Sequence, residues 1–546
     1  MIGLHRLSRS SVTALAATSP VLDELGPVRL SRHLVQLRLL ADEAPAVDRA
    51  AGFTECLAVL EELQSGVPDQ VANVLGAPET GAWSAWCLRR LLGGVSDDTA
   101  FELDLGHLGA LGVAVAAAAG VDLEVPIPIR GGWVHLPALG RLRVADPDLW
   151  TMGRLRRAGD RIAVTWPGGR ADRDGLGGAG WQPIRRIRFG ADEPAEFLLD
   201  DVSPYRRLYG YRPADRLHAY EVALWQGLVE DAAQVLRERH PEWMPAVRRV
   251  LTVLVPLAAR GADDGLSVTA RDSIGAVALT VPSDGRQLAS TLVHELQHNY
   301  VNLLHDIDPL FEPGDAGRHY SPWRDDARPL AGVAHGSTAF AGVARFWQRE
   351  RAVGDRLSEL EFALAVRQLR AAVGTLTASA EFLTSVGRAL AASIGDLVEA
   401  METDPVDATV GRLAADLARE HEFAWRIREA TRSSAGSDQP VVHTRLRRLA
   451  LRWMNAGVET IVPRPDDDPA DLALLSGAYP AAARGYARRL AADPGDWGAL
   501  ATLLTSLDRT KPYAGDLGDL VAALRGADAF DRAAILAPVI AGNRTA

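Results

Sequence analysis

The stretch GRQLASTLVHELQHNYVNLLHD (residues 285–306) places apolar residues three and four positions apart, which predicts one helix with a wide apolar face. Within it, His294 and His298 stand four positions apart, and Glu295 follows the first of them. Four residues of α-helix turn through about 400°, so both imidazoles project from one face and can bind a single ion. A strand, predicted to lie at a sheet edge, precedes this helix. The segment therefore predicts a metal site of the HExxH type.

A mononuclear metal site needs a third protein ligand, and several candidates are unsuitable. The metzincin pattern would require glycine and histidine where this chain has Val301 and Leu304, which excludes that class. His305 returns to nearly the same stripe of the helix, but it stands roughly 10 Å beyond His298 along the axis, out of reach of the same ion. A gluzincin would use a downstream glutamate. Glu312 lies in a Pro/Gly turn and Glu350 on a charged helix end, and neither has the Glu-x-x-x-Asp setting of that class.

His335 is the better third ligand. It lies in RPLAGVAHGSTAFAGVARFW (328–347), a predicted helix whose buried face consists of Gly and Ala. Small residues let two helices approach closely, which a shared metal demands. The alternative interpretation is a core histidine that a hydrogen bond satisfies. Three histidines with open coordination positions suit Zn(II) and equally Fe(II), because imidazole binds either ion.

The segment between these two helices, GRHYSPWRDDARPL (317–330), is dense in arginine and also carries Tyr320 and Trp323. The guanidinium fork matches a carboxylate in shape and charge. A solvated polar loop is the simpler interpretation, but two aromatic residues argue against it. A protease needs no such feature near its metal, whereas an oxygenase that binds a dicarboxylate cosubstrate does.

Bulk composition excludes several classes of function. The chain has 546 residues and a formal net charge of −11, which argues against a nucleic-acid-binding protein. Its two cysteines, Cys56 and Cys87, provide neither a disulfide framework nor a thiolate zinc site, and they fit a reducing cytoplasm. The N-terminal segment is a poor signal peptide, and no membrane span is expected.

Periodicity along the chain predicts a mostly α-helical α+β protein in four regions. Residues 1–120 read as a helical N-terminal region, and 121–202 show the rhythm of short strands and turns in a small antiparallel β region. The metal-binding helical core spans 203–400, with a short β element around Gly275. Residues 401–546 form a helical C-terminal region.

Beyond the metal motif, several segments resemble one family, the HExxH-type 2-oxoglutarate-dependent peptide β-hydroxylases of bacterial ribosomal-peptide maturation. LASTLVHELQH (288–298), YSPWRDDARPLAGVAHGSTAF (320–340) and RFW (345–347) carry the resemblance. SPYRRLYGY (203–211) and IGAVALT (274–280) fit it too. The resemblance follows most of the chain in layout, and it is specific over about sixty residues, 285–347.

This resemblance implies hydroxylation of a side-chain β-carbon in a precursor peptide, with Fe(II), O₂ and 2-oxoglutarate. It implies a fold other than the cupin barrel, and the chain's only His-x-Glu, at His240 and Glu242, lies between helices. The positions that match the family's iron ligands are His294, His298 and His335. The residues expected to bind 2-oxoglutarate are Arg324, Arg328 and Tyr320, with the choice between the two arginines resting on charge alone.

The family resemblance bears on possible partners, and the HExxH motif leaves other functions open. Some relatives are fused to a radical-SAM cyclase, whose clustered cysteines are absent here, so this chain would act alone or beside a separate cyclase. The main alternative is a zinc metallopeptidase with Glu295 as the general base. In the oxygenase, Glu295 would instead orient a ligand or a bound water. A catalytically inactive scaffold that binds a peptide is a third possibility, and the intact ligand set argues against it.

Overall fold

The computed structural model describes residues 19–43, 50–190, 195–209, 211–258, 265–315, 317–431, 445–455, 463–464, 466–493, 496–509, 519–520 and 523. The segment 1–18, on which the signal-peptide prediction rests, lies outside these residues. Of the residues that the structure describes, 61% are helical and 15% lie in strands, so the predicted mostly α-helical α+β class is confirmed. Across the described ranges the sheets are small and none closes into a barrel, as predicted.

The chain divides into two compact units, Met1–Asp308 and Pro309–Ala546. This boundary falls inside the region 203–400 that the sequence presents as one core. The first unit contains the HExxH helix and all the described strands. Its helices are α1 Ser19–Glu43, α2 Phe53–Gly66, α3 Pro68–Leu75, α4 Pro78–Leu91, α5 Phe101–Leu105, α6 His107–Ala119, α7 Ala219–Arg239, α8 Met244–Val250 and α9 Gly285–Ile307, with 3₁₀ turns at Pro204–Tyr209 and Arg271–Ser273.

Short strands follow α6, which ends at Gly120 in the left-handed conformation (φ 71°) that glycine adopts without strain. Two antiparallel sheets form, in the orders β1-β4-β5-β6 and β2-β3-β7. Their inner faces and the N-terminal helices share one apolar core. The strands of the unit are β1 Leu123–Ile129, β2 Trp133–Leu136, β3 Gly140–Arg143, β4 Thr151–Ala158, β5 Arg161–Trp166, β6 Gly169–Asp174, β7 Trp181–Pro183, β8 Arg185–Phe189, β9 Ala195–Leu199, β10 Val253–Pro256, β11 Ser267–Val268 and β12 Ala276–Leu279.

A third sheet, in the order β11-β12-β10-β9-β8, is mixed. β8 and β9 come from the predicted β region and pair with each other, and β9 also pairs with β10, one of the strands that lead to α9. The strand before the motif was predicted to lie at an edge, and that prediction was wrong. β12 lies between β11 and β10, and all four of its residues are buried. A short all-apolar run of this kind is typical of a strand covered on both faces.

The second unit is helical in its described part. One of its cores joins helices from Leu360 to Leu507, and a smaller cluster surrounds Leu330 and Leu376. Its helices are α10 Leu330–Glu350, α11 Arg356–Ala378, α12 Ser385–Glu402, α13 Ala408–Thr431, α14 Arg445–Asn455, α15 Pro469–Leu475, α16 Tyr479–Ala492 and α17 Trp497–Asp508, with 3₁₀ turns at Arg351–Val353 and Ala380–Phe382.

One segment of the described chain, Phe101–Ala119, is long and apolar enough to cross a membrane. It comprises α5 and α6, and 78% of it is buried inside the protein. Such burial is what the core helix of a soluble protein shows, and both helices contribute to the apolar core of the first unit.

Candidate functional site

Helix α9, which carries the motif, is fixed at its start. The side chain of Asp284 accepts a hydrogen bond from the backbone N of Gln287 (2.8 Å) and so caps the helix. At Gly285 a Cβ atom would lie 2.3 Å from the Cβ of Asp231 on α7, so only glycine permits this close approach. The first turn of α9 therefore packs directly on α7.

The two motif histidines point at each other as the spacing predicts. Their Nε2 atoms are 3.1 Å apart, and the rings meet edge to face with centroids 4.7 Å apart. With metal–nitrogen bonds of about 2.1 Å, this separation corresponds to an N–metal–N angle of roughly 95°. That angle is compatible with octahedral iron and, with slight opening, with tetrahedral zinc.

Burial keeps both imidazoles in the neutral form that binds metals. Burial lowers the pKa of His294, against the opposing effect of Glu295. Burial and then the neighbouring His294 lower the pKa of His298 to about 4. A neutral imidazole needs no deprotonation before it binds an ion. The donor set of the pair therefore fits a metal.

Glu295 is completely buried, and its two oxygens have different environments. Oε2 accepts a hydrogen bond from the hydroxyl of Thr269 at 2.5 Å. Oε1 has no hydrogen-bond partner among the described residues and lies 3.9 Å from Nε2 of His294. A buried carboxylate oxygen without a donor is costly, so it indicates a missing partner such as a metal-bound water. This orphaned oxygen is a second feature that fits a metal site.

Asn299 ties the helix to the neighbouring turn. Its side-chain amide donates to the carbonyl of Glu295 (2.8 Å), and its oxygen accepts from the backbone N of Gly275 (2.7 Å). Gly275 has a φ of 100°, which glycine alone adopts readily. Thr269 and Asn299 were not singled out from the sequence. Neither residue type signals the role; only the pairing of β11 with β12 brings Thr269 to Glu295.

The third ligand stays a prediction. His335 lies on α10, within the second unit, where its side chain is partly buried. Across the described ranges, no three His, Cys, Asp or Glu side chains form a group that could hold a metal ion. The structure thus shows two of the three predicted imidazoles together.

On the Gly- and Ala-rich face of α10, where a second helix was expected, the neighbour of Gly336 is a side chain. A Cβ atom at Gly336 would lie 2.3 Å from the indole of Trp323, which also stacks on Phe340 with centroids 4.5 Å apart. The glycine therefore accommodates an aromatic side chain from the preceding segment. The sequence reasoning assigned the whole face of Gly and Ala around His335 to a second helix; at Gly336 the neighbour is instead Trp323.

Arg324 and Arg328 converge on one carboxylate, as groups that bind a dicarboxylate should, but the carboxylate belongs to the chain. Arg324 Nε lies 3.1 Å from Oδ1 of Asp326, and Arg328 Nη1 lies 3.0 Å from Oδ2. Burial raises the pKa of Asp326, and the two guanidinium groups outweigh it, so the net pKa is lowered. Asp326 thus occupies the positions that a cosubstrate would need.

Tyr320 lies elsewhere in the second unit. Its hydroxyl is 3.0 Å from Nδ1 of His421, and its ring lines a cavity of about 350 Å³. Four arginines line the same cavity, and three of them pair with carboxylates. The fourth, Arg367, has one long hydrogen bond of 3.4 Å to the carbonyl of Gly411 and no carboxylate partner among the described residues. Arg367 was not predicted, because its sequence context, ALAVRQLR (363–370), resembles any amphipathic helix.

Comparison with known proteins gives no independent assignment. The sequence matches no protein-family model, and it matches no curated protein.

Proposed function

We propose that this chain is an Fe(II)- and 2-oxoglutarate-dependent oxygenase that hydroxylates a side-chain β-carbon of a ribosomally made precursor peptide. One observation carries the metal part of the proposal: the Nε2 atoms of His294 and His298 lie 3.1 Å apart, beside the orphaned Oε1 of Glu295. The sequence resemblance supports the choice of reaction. When bound, iron supplies, with O₂ and 2-oxoglutarate, the oxidation of a C–H bond to an alcohol.

The residues around the motif bind and orient. His294 and His298 would hold the ion, and His335 is the proposed third ligand. Thr269 fixes one oxygen of Glu295, which leaves the other to accept a proton or a hydrogen bond from a water on the ion. Asn299 holds the backbone of Glu295 in register with the turn at Gly275. Within the first unit, the two imidazoles and the Glu295 carboxylate are thus held in a preorganised arrangement.

For 2-oxoglutarate, the second unit offers two sets of cations. Arg324 and Arg328 are the predicted set, and a cosubstrate would have to displace Asp326 from them. Tyr320 belongs with the other set, beside Arg367, which has no carboxylate partner among the described residues. We retain Arg324 and Arg328 as the proposed binding groups because they form a two-guanidinium fork around a single carboxylate.

The remaining parts of the proposal concern the setting. The substrate would be a precursor peptide, a separate radical-SAM cyclase could act on the same peptide, and the enzyme would work in the cytoplasm. Both cysteines are free and buried, which suits a reducing compartment.

A zinc metallopeptidase is the second candidate, and Glu295 favours it specifically. A buried carboxylate with one fixed oxygen and one oxygen open beside a ligand is the arrangement that a general base for water needs. In that case Zn(II) would replace Fe(II), and Glu295 would take the proton from the attacking water.

Anaerobic loading with Fe(II), followed by exposure to O₂ and 2-oxoglutarate, separates the candidates. We expect 2-oxoglutarate to be converted to succinate, with slow uncoupled turnover in the absence of peptide. The same protein loaded with Zn(II) should not cleave an unfolded protein substrate. Peptide cleavage by the zinc form, without succinate from the iron form, would reverse the assignment.

Metal content tests the ligands independently of activity. His294→Ala and His298→Ala should each lose the bound ion while the circular dichroism spectrum stays unchanged. His305→Ala is the matched control, because it removes an imidazole from the last turn of the same helix. Undiminished metal in either test variant would refute the metal site, and loss of metal in His335→Ala would support the third ligand.

A further inference from the structure

A cavity of about 430 Å³ lies in the first unit, and the proposed oxidation does not use it. One of its walls is the 3₁₀ turn Pro204–Tyr209, part of the SPYRRLYGY segment that the sequence singles out. The volume falls within the range of small-ligand pockets, roughly 300–1,000 Å³. Such a cavity accommodates a small molecule or one or two side chains of a larger ligand.

Aromatic rings dominate the walls of this cavity. Trp86, Trp133 and Trp150 all line it, and Trp150 is 54% exposed. The exposed indole of Trp150 leaves part of the wall accessible to an incoming ligand. Indole faces stack well on planar groups, so the walls favour a ligand with a ring.

The cavity carries a net positive charge. Arg130, Arg141 and Arg206 line it together with two carboxylates, Asp97 and Asp104. Asp104 is already saturated, and its partners are Arg90, Arg130, the indole N–H of Trp86 and the hydroxyl of Tyr205.

Arg141 forms no ion pair with a carboxylate in the part of the chain that the structure describes. Its Nε donates to the neutral Gln182 (2.7 Å), and its guanidinium lies over Trp133, 4.4 Å from the ring centroid. Burial, and then the nearby Arg216 and Arg206, lower the pKa of Arg141, and Asp201 opposes them. An incoming anion would offset the repulsion between these cations.

An imidazole with a buried ring nitrogen, that of His135, lies opposite Arg141 on the neighbouring strand. His135 on β2 pairs with Arg141 on β3. Its Nδ1 is buried and has no hydrogen-bond partner within the described part of the chain. A buried ring nitrogen of this kind usually has a partner, which here a ligand would provide.

We propose that this cavity binds an aromatic carboxylate, with the ring against the tryptophans and the carboxylate on Arg141. One unpaired guanidinium matches a singly charged carboxylate better than a phosphate dianion, which usually collects several cations. The carboxylate and ring can belong to a free metabolite or to neighbouring side chains of a peptide. This proposal does not depend on the proposed oxidation.

Calorimetry on the metal-loaded full chain tests the ligand class with three matched probes: indole-3-acetate, its neutral amide and the cation tryptamine. We expect the acid to bind about tenfold tighter than the amide, which is about 1.4 kcal/mol, and tryptamine to bind most weakly. Equal affinity for acid and amide, tighter binding of tryptamine, or no binding of the acid would overturn the proposal.

Variants then locate the binding. Arg141→Gln should abolish the preference for the acid over the amide, whereas Arg143→Gln should leave it unchanged. Arg143 is the matched control because it lies on the same strand and over the same Trp133 ring, but it does not line the cavity. Trp150→Ala, at an exposed position that tolerates truncation, should weaken acid and amide equally. An unchanged profile in both Arg141→Gln and Trp150→Ala would also overturn the proposal.

Two further measurements identify the source of the ligand and separate this cavity from the metal site. N-acetyl-Glu-Trp-amide should bind more tightly than indole-3-acetate if the natural ligand is a peptide, and less tightly if it is a free acid. His294→Ala, expected to lose the metal, should bind indole-3-acetate as the parent does. Loss of binding in that variant would place the probe on the metal and refute the assignment to this cavity.

Discussion

The hydrogen bond from Thr269 to Glu295 gives the sharpest test of the site in the first unit. Thr269→Val keeps the shape of the side chain and removes only the hydroxyl that donates to Oε2. Because Oε1 already has no partner among the described residues, the variant leaves the completely buried carboxylate without any side-chain donor. A hydrogen bond to a charged group contributes about 1.5–3 kcal/mol, and full burial favours the upper half of that range. We therefore expect the metal-free protein to lose about 2–3 kcal/mol of unfolding free energy.

Equilibrium urea unfolding of the metal-free chain measures this loss, and a double-mutant cycle isolates the pair. In a Glu295→Met background the carboxylate is gone, so Thr269→Val should then cost little. Thr269→Ser retains a donor and should retain most of the stability. Thr291→Val on the same helix is the matched control. Among the described residues its hydroxyl bonds only to the carbonyl of Gln287, so the change should alter stability by less than about 0.5 kcal/mol. An equal cost of Thr269→Val with and without the carboxylate would refute the reasoning.

Three further predictions concern other parts of the chain. Gly336→Ala should displace Trp323 from Phe340 and cost about 1–2 kcal/mol of unfolding free energy. Gly374→Ala is the control and should be neutral or stabilising, because its added methyl meets nothing within 4 Å. Urea unfolding compares the two variants, and equal effects would contradict the packing of Trp323 on Gly336. Burial raises the pKa of Glu79 to about 7, against a hydrogen bond from Ser203, so its folded form holds a proton that the unfolded form releases near pH 4.5. This contribution to stability is complete below pH 4.5 and is lost as pH rises through 7. Glu79→Gln should therefore flatten the decline in thermal midpoint between pH 5 and 8. Asp326→Asn should remove the carboxylate charge that pairs with Arg324 and Arg328, and so lower the 2-oxoglutarate concentration needed for half-maximal succinate formation. An unchanged requirement would favour Arg367 as the binding group.

Local periodicity was enough to predict the helices that carry the candidate residues. The segment 285–306 becomes α9, Gly285–Ile307, and Gly120 ends α6 as its position suggests. Both features depend on residues within a few positions of one another, which a sequence displays directly. The 3.1 Å approach of His294 and His298 follows from the same local geometry.

Non-local pairing accounts for what the sequence did not reveal. β12 lies inside its sheet because β10 and β11 pair with its two edges, and β10 ends about twenty residues before β12 begins. Thr269 reaches Glu295 only through that pairing. The small residues around His335 indicated that something packs closely against them, but not what, and at Gly336 the neighbour is Trp323. Asp326 stands two positions from each arginine, so its competition for them could have been read from the sequence.

The motif alone does not decide between oxidation and hydrolysis, because Glu295 suits both. One oxygen of this carboxylate is held by Thr269, and the other lies near His294 with no donor among the residues that the structure describes, so it can position a bound water or deprotonate it. What distinguishes the two reactions is whether a dicarboxylate has a place to bind. An oxygenase needs a cation that its own side chains leave unsatisfied, since a fully paired arginine gains little from a new carboxylate. The reaction class therefore depends on whether Arg324 and Arg328 release Asp326 or Arg367 takes the cosubstrate, and variants at these arginines discriminate more strongly than variants of the HExxH motif itself.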